Sequence, residues 1–148
     1  MRVRKAVPED LNVIVDFISL EAMDAEGRIQ DRETLEQGVG AGLRDSAISD
    51  YWLLVDDREQ AAGCVSVIKE WSDWNAGYYW WIQSMYISPE YRGKGFMSLL
   101  IDTVAKSGRQ QNCLELRLYV HTNNKAAIRA YEKAEFEYMP YRLMSKRI

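Results

Sequence analysis

Residues 85–101 read MYISPEYRGKGFMSLLI. A strand-like run meets Pro89, passes through Arg92-Gly93-Lys94-Gly95, and goes on as apolar residues at helical spacing, with Phe96, Leu99, Leu100 and Val104 on one face. Glycines, a lysine and an arginine at a strand-to-helix turn have two readings. One is a solvated connection, with glycine supplying positive φ. The other is an anion cradle. The first amides of a helix have no intrahelical partner, the helix dipole adds positive charge, and two glycines let a phosphate come close. A Walker A loop does not fit, because Lys94 is followed by Gly95 rather than Ser or Thr. A dinucleotide fingerprint stops at its third glycine, where Ser98 stands.

Working outward, the pattern is that of one mixed α/β domain over 1–148. Residues 2–7 predict a strand, and Leu11, Ile14, Val15 and Ile18 predict a helix introduced by Pro8-Glu9-Asp10. Asp31 is the expected N-cap of a second helix carrying Leu35, Val39 and Leu43, which Gly38, Gly40 and Gly42 should break or loosen. Residues 51–56 and 61–70 flank the polar turn Asp57–Gln60 as a hairpin, and 78–88 form a longer aromatic strand. A helix over 95–107 follows. CLELRLYVH alternates, with Leu114, Leu116, Leu118 and Val120 on the expected core face. A helix over 124–134 comes next, and the tail 136–146 reads as a last pair of strands. The order is β-α-α-β-β-β-α-β-α-β-β, with a right-handed crossover at its centre.

Composition narrows the function. The chain is 47% hydrophobic and 28% charged with a net charge of -3, so no global field draws it to nucleic acid or an acidic membrane. Its opening residues lack the apolar stretch of a signal peptide, and the cytoplasm is the expected compartment. Cys64 and Cys113 sit in apolar strand-like surroundings as expected free thiols. His121 is the only histidine, no pair has zinc-site spacing, and no metal is expected.

Two segments together carry a resemblance. SPEYRGKGFM, after a strand, resembles the pyrophosphate loop of the GNAT acetyltransferases, borne by Arg92, Gly95 and Met97. NKAAIRAYEKAEF, after another strand, resembles that superfamily's second signature, borne by Asn124, Ala127, Tyr131, Glu132, Lys133 and Phe136. The element order is similar from end to end. The resemblance implies the acyl-CoA N-acyltransferase fold, a mostly antiparallel sheet with one splayed pair of parallel strands. Two positions depart from the pattern. Met97 replaces a small residue but keeps its backbone N–H. Glu135 replaces a glycine and, if left-handed, stores about 1 kcal/mol of strain.

What the resemblance implies about chemistry is specific. Acetyl-CoA is the cosubstrate. Its pantetheine arm pairs with the backbone of Met85, Tyr86 and Ile87, much as an added strand would. Its pyrophosphate is lined by Arg92, Gly93, Lys94, Gly95, Phe96, Met97 and Ser98. Acetyl transfer to an amine needs a proton acceptor, an oxyanion donor and a proton for the departing thiolate. A backbone N–H near Met85–Ile87 is the expected oxyanion donor and Tyr131 the proton donor, its alternative being a core tyrosine. Asn124 is expected to orient the cofactor arm, to cap its helix, or both.

Many relatives carry a glutamate where this chain has Gln83, which cannot accept a proton. The role of base then moves or is handled by a water chain; Glu70, beside WSDW, is the candidate, its alternative a surface carboxylate. Of the tryptophans 71, 74, 80 and 81, adjacent Trp80 and Trp81 must face opposite sides of the strand. One of them, with Trp71 or Trp74, is a candidate to wall an acceptor pocket or to form the contact of a homodimer, core packing and hairpin pairing being the commoner explanation for any single one. The segment EAMDAEGR, read as a loop, adds Glu21, Asp24 and Glu26 and favours a cationic amine acceptor. A non-catalytic acyl-CoA-binding module is the alternative of a different class, and a dinucleotide oxidoreductase a third.

Overall fold

A computed structural model describes residues 1–148. Strand β2 (Asp50–Val55) shows why the chain folds in layers, since all six of its residues are buried. Tyr51, Leu53 and Val55 face one apolar cluster, Trp52 and Leu54 another, so helices must cover both faces. On the first face lie α1 (Leu11–Glu26) and α2 (Arg32–Arg44), through Ile14, Val15, Phe17 and Val39. On the second lies α3 (Phe96–Arg109), through Leu100, Ile101 and Val104. No helix is long and apolar enough to cross a membrane.

The sheet runs β1 (Arg2–Lys5), β2, β3 (Ala61–Ser72), β4 (Gly77–Ile87), β5 (Cys113–Leu118) in spatial order. All neighbours are antiparallel except β4 and β5, which are parallel and joined through α3. This is the expected fold. Asp56 closes the β2–β3 turn by accepting from the N–H groups of Arg58 and Gln60 (both 2.8 Å). Asp50, 2% exposed, is held between Lys5 of β1 and Lys69 of β3, so the carboxylate buried in β2 is paired from both sides.

Four expectations fail for identifiable reasons. First, α2 is continuous despite its glycines, and Asp31 caps it by accepting from Thr34 N–H (2.8 Å). Gly42 is where the helix meets β2, since a Cβ there would lie 2.8 Å from the Tyr51 ring and 3.0 Å from Ser49 Cβ. Gly38 faces open space. Gly38→Ala should therefore stabilise by up to about 1 kcal/mol. Gly42→Ala should instead cost about 1–3 kcal/mol by overpacking, a contrast that urea denaturation of the two variants reads directly.

Second, EAMDAEGR is not a loop. Helix α1 runs through it to Glu26 and stops at Gly27, whose φ of 64° gives a left-handed cap. Third, the tail 136–146 forms no strand. Pro140 brings no N–H to a ladder, and Tyr138, Tyr141, Leu143 and Met144 stay exposed, so strand-like composition met no surface to pair with. Leu114 also departs from its expected core face. The β4–β5 register jumps from Tyr78↔Cys113 to Tyr79↔Glu115, which skips Leu114 and sets Cys113 against the core instead.

Helix α4 (Lys125–Lys133) ends in a Schellman arrangement. Phe136 N–H donates to the Tyr131 carbonyl (3.0 Å) and Glu135 N–H to that of Glu132 (3.1 Å). Glu135 has φ of 65°, so the helix does not end differently here and the residue carries the strain of a left-handed conformation. Glu135→Gly should relieve about 1 kcal/mol, visible as a rise of a few degrees in Tm.

Candidate active site

The site begins with one extra residue. Strands β3 and β4 pair in step from Gly63↔Ile87 to Ser66↔Ser84, then resume at Val67↔Ile82, so Gln83 bulges out. The slip reverses which side chains face which way. Trp80 and Ile82 point into the α3 cluster, but beyond the bulge Tyr86 turns to α1, where it stacks on Phe17 at 5.4 Å. Pairing of β4 with β5 ends at Ile82, and the edge of β4 from Ser84 to Ile87 opens into a cleft between the two parallel strands.

Side chains occupy two of the polar groups of that edge. Met85 N–H donates to Glu21 Oε1 on α1 (3.0 Å). The Ile87 carbonyl accepts from Arg92 Nε (2.7 Å), while Arg92 Nη2 donates to Asp24 Oδ2 (2.8 Å). Half-buried Glu21 loses hydration, and burial pushes its carboxyl up to about 7, against the pull of the Met85 amide and the Ser84 hydroxyl. The Tyr131 phenol, on α4, is pushed up to about 12, chiefly by burial and then by the charge of Glu21. Phe136 meets the Tyr131 ring edge-on at 5.6 Å. Cys64, buried in β3, has its thiol pushed up by burial first and by the same Glu21 charge second. An amide donor, a carboxyl group and a phenol thus gather at one end of the cleft.

Beyond Ile87 the chain turns through Gly93 (φ 73°) and Gly95 (φ 82°), both bordering open space, into α3. The first helical bond of α3 runs from Leu99 N–H to the Gly95 carbonyl (3.3 Å), which leaves the amides of Phe96, Met97 and Ser98 without a partner in the helix. Gly95 supplies no capping side chain. Met97 packs against the core, so its backbone stays free for the turn. Lys94 is exposed, over the Tyr91 ring at 5.6 Å. Asn124 caps α4 by accepting from Ala127 N–H (3.1 Å). It also lines an open cavity of about 600 Å³ between the end of α1 and the start of α4, with Asp24, Glu26, Arg28, His121 and Lys125.

Contacts link the expected positions in two groups: Glu21 joins Met85 to the surroundings of Tyr131, while Arg92, bound to the Ile87 carbonyl and to Asp24, lies beside the cavity that Asn124 and Asp24 both line. Glu70 lies elsewhere. It pairs with Tyr79, five residues along β3 from the partner of Met85, a distance of about 17 Å by strand rise. There the Trp81 indole N–H donates to it, and Trp81 stacks on Tyr119 at 4.6 Å. Trp80 is fully buried, while Trp71 is half exposed and Trp74, in the turn, is 90% exposed. Trp80 belongs to the apolar cluster against which Met85 packs, and Trp71 meets the Tyr78 ring edge-on at 5.0 Å. Glu21 was legible only as one of three acids in a supposed loop. Its place one helical turn before Asp24, on the side of α1 that meets β4, was the signal available.

Known proteins share the fold and parts of the sequence. The crystal structure of a "possible acetyltransferase" from Clostridium difficile 630 superposes with a TM-score of 0.92 at 30% identity, covering 99% of this chain and 97% of that one. An acetyltransferase of Yersinia pestis (strain Pestoides F) is 34% identical over 62 residues, 42% of this chain and 44% of that protein. The thialysine N-epsilon-acetyltransferase of Bos taurus is 38% identical over 52 residues, 35% of this chain and 31% of its own length. The matched stretch thus spans less than half of either curated relative. The model of the acetyltransferase (GNAT) family matches residues 15–136, from α1 through the end of α4, and the chain belongs to that family of N-acetyltransferases.

Proposed function

We propose that this chain moves an acetyl group from acetyl-CoA to a primary amine of a small molecule or peptide by direct attack on the thioester. The observation that carries the reading is the continuity of the open β4 edge with the glycine turn. One stretch of backbone offers strand-type hydrogen bonds for an amide-bearing arm and then unpartnered amides for a diphosphate. The residues fit an acyl-CoA, since Gly93 and Gly95 border open space and Lys94 adds charge at the same turn. That group supplies an activated acyl carbon.

The chain's own residues do the rest. Met85 N–H donates to the acyl oxygen as negative charge develops on it. Tyr131, holding its proton well above neutral pH, donates it to the sulfur as the carbon–sulfur bond breaks. Arg92 and Lys94 balance phosphate charge, which requires Arg92 to exchange Asp24 for a phosphate oxygen. Asn124 holds the start of α4 in place through its cap.

An amine acceptor agrees with the bovine relative, whose name places its acetyl group on an ε-nitrogen. The acids near the cleft that would draw a cation are mostly paired, Asp24 with Arg92 and Glu26 with Arg28. Selection for a cationic acceptor then rests on Glu21. Thiol release from acetyl-CoA across a panel of primary amines tests the proposal, together with calorimetry of CoA binding. Turnover with at least one amine is expected. Tight CoA binding with silence toward every amine would favour a binding module, and no binding at millimolar CoA would end the reading altogether.

A further inference from the structure

A carboxyl oxygen occupies the hydrogen-bonding position of Met85 N–H, the donor proposed for the acyl oxygen. Catalytic amide donors stand 2.7–3.1 Å from a developing oxyanion as a rule, and Glu21 Oε1 lies 3.0 Å from Met85 N–H. Gln83, which bulges from β4, cannot accept a proton, whereas Glu21 reaches Met85 from α1. The inference rests on the proposed acetyl transfer and adds to it.

We propose that Glu21 is the proton acceptor for the attacking amine, displaced from Met85 N–H by the acyl oxygen and left beside the acyl carbon. A base must stand within direct hydrogen-bond reach of the proton or one water away, and rotation about the outer bonds of Glu21 moves its carboxylate by about that much. The displacement also strengthens the base. The Met85 hydrogen bond lowers the proton affinity of Glu21, so passing that amide to the acyl oxygen raises it as the amine arrives.

The sequence of events balances. Glu21 carboxylate takes one proton from the ammonium, and the freed nitrogen lone pair forms the carbon–nitrogen bond while the carbonyl π pair moves onto oxygen at Met85 N–H. Collapse restores the carbonyl and breaks the carbon–sulfur bond. The leaving sulfur keeps that pair and takes the Tyr131 proton. The nitrogen then returns its surplus proton to the Tyr131 oxygen. Glu21 ends neutral and releases the one net proton to water.

The groups facing Glu21 are few. Ser84 and Met85 come from β4, Cys64 from β3 and Tyr131 from α4. Asp24 follows one turn on along α1, held by Arg92. Because the folded-state value of Glu21 lies above that of a free glutamate, its contribution to stability is full below about 4.5 and is lost as pH rises through about 7.

The test compares Glu21→Gln and Glu70→Gln with the wild type. Glutamine keeps an acceptor for Met85 N–H, so folding should persist. In the free wild-type protein, the side-chain carboxyl ¹³C signal of Glu21 should titrate near 7. In turnover, Glu21→Gln should lose about 100-fold in kcat/KM and the acidic limb of the pH profile, with CoA affinity kept, while Glu70→Gln keeps both. A Glu21 signal that titrates in the ordinary carboxylate range overturns the inference without reference to activity. So does a Glu21→Gln variant that retains rate and pH profile while the wild type acetylates amines, and the transfer reading then survives. A wild type that binds CoA yet acetylates no amine removes both.

Discussion

Tyr131→Phe should lower turnover by about 10²- to 10⁴-fold while acetyl-CoA affinity changes by no more than about twofold. The phenol is pushed up to about 12, so at neutral pH it carries the proton that the departing sulfur needs. Phenylalanine fills the same space, keeps the edge-on contact with Phe136, and leaves the helix-terminating bonds of 132–136 untouched. Stability should therefore stay put while proton donation disappears. Steady-state rates and calorimetry on the same preparation separate these effects. An unchanged kcat would return Tyr131 to the standing of a core residue.

Gly95→Val should act on the other term, weakening acetyl-CoA binding by about 10- to 100-fold. The φ of 82° at Gly95 suits no L-residue, and a β-branched one least of all. Relaxing that strain turns the amides of Phe96, Met97 and Ser98 away from a common point, and the new side chain covers them. Lys94→Ala makes a useful contrast. It removes an exposed charge worth at most about 1 kcal/mol, so its effect should stay under about fivefold and fade as salt is added. Equal losses for the two variants would mean that charge, rather than oriented backbone, holds the diphosphate.

The parts legible from residues alone are those where chemistry is written locally. Gly93 and Gly95 mark positive φ, Asp31 and Asn124 mark caps, and the stripe through Leu100 and Val104 marks the buried face of α3. What stayed hidden is decided by contact. Gln83 bulges because of how β3 and β4 register, and a single polar residue in an aromatic strand leaves no periodic trace of that. The glycines of α2 looked like weakness because propensity describes an isolated helix, whereas Gly42 serves a close approach to Tyr51. Glu21 was misread for a related reason. The end of α1 could not be placed without seeing that Gly27 is left-handed, and a loop acid and a helix-borne acid aimed at Met85 look identical in one dimension.

A strand rim with unsatisfied valences is adhesive, and a splayed sheet creates one in its middle. Here two groups of that rim are covered. Glu21 satisfies Met85 N–H and Arg92 the Ile87 carbonyl, so both are engaged before any guest arrives. Two charged side chains thereby insulate the fold against gluing itself to the extended segments of neighbours, and release the rim only to a molecule able to outcompete both at once.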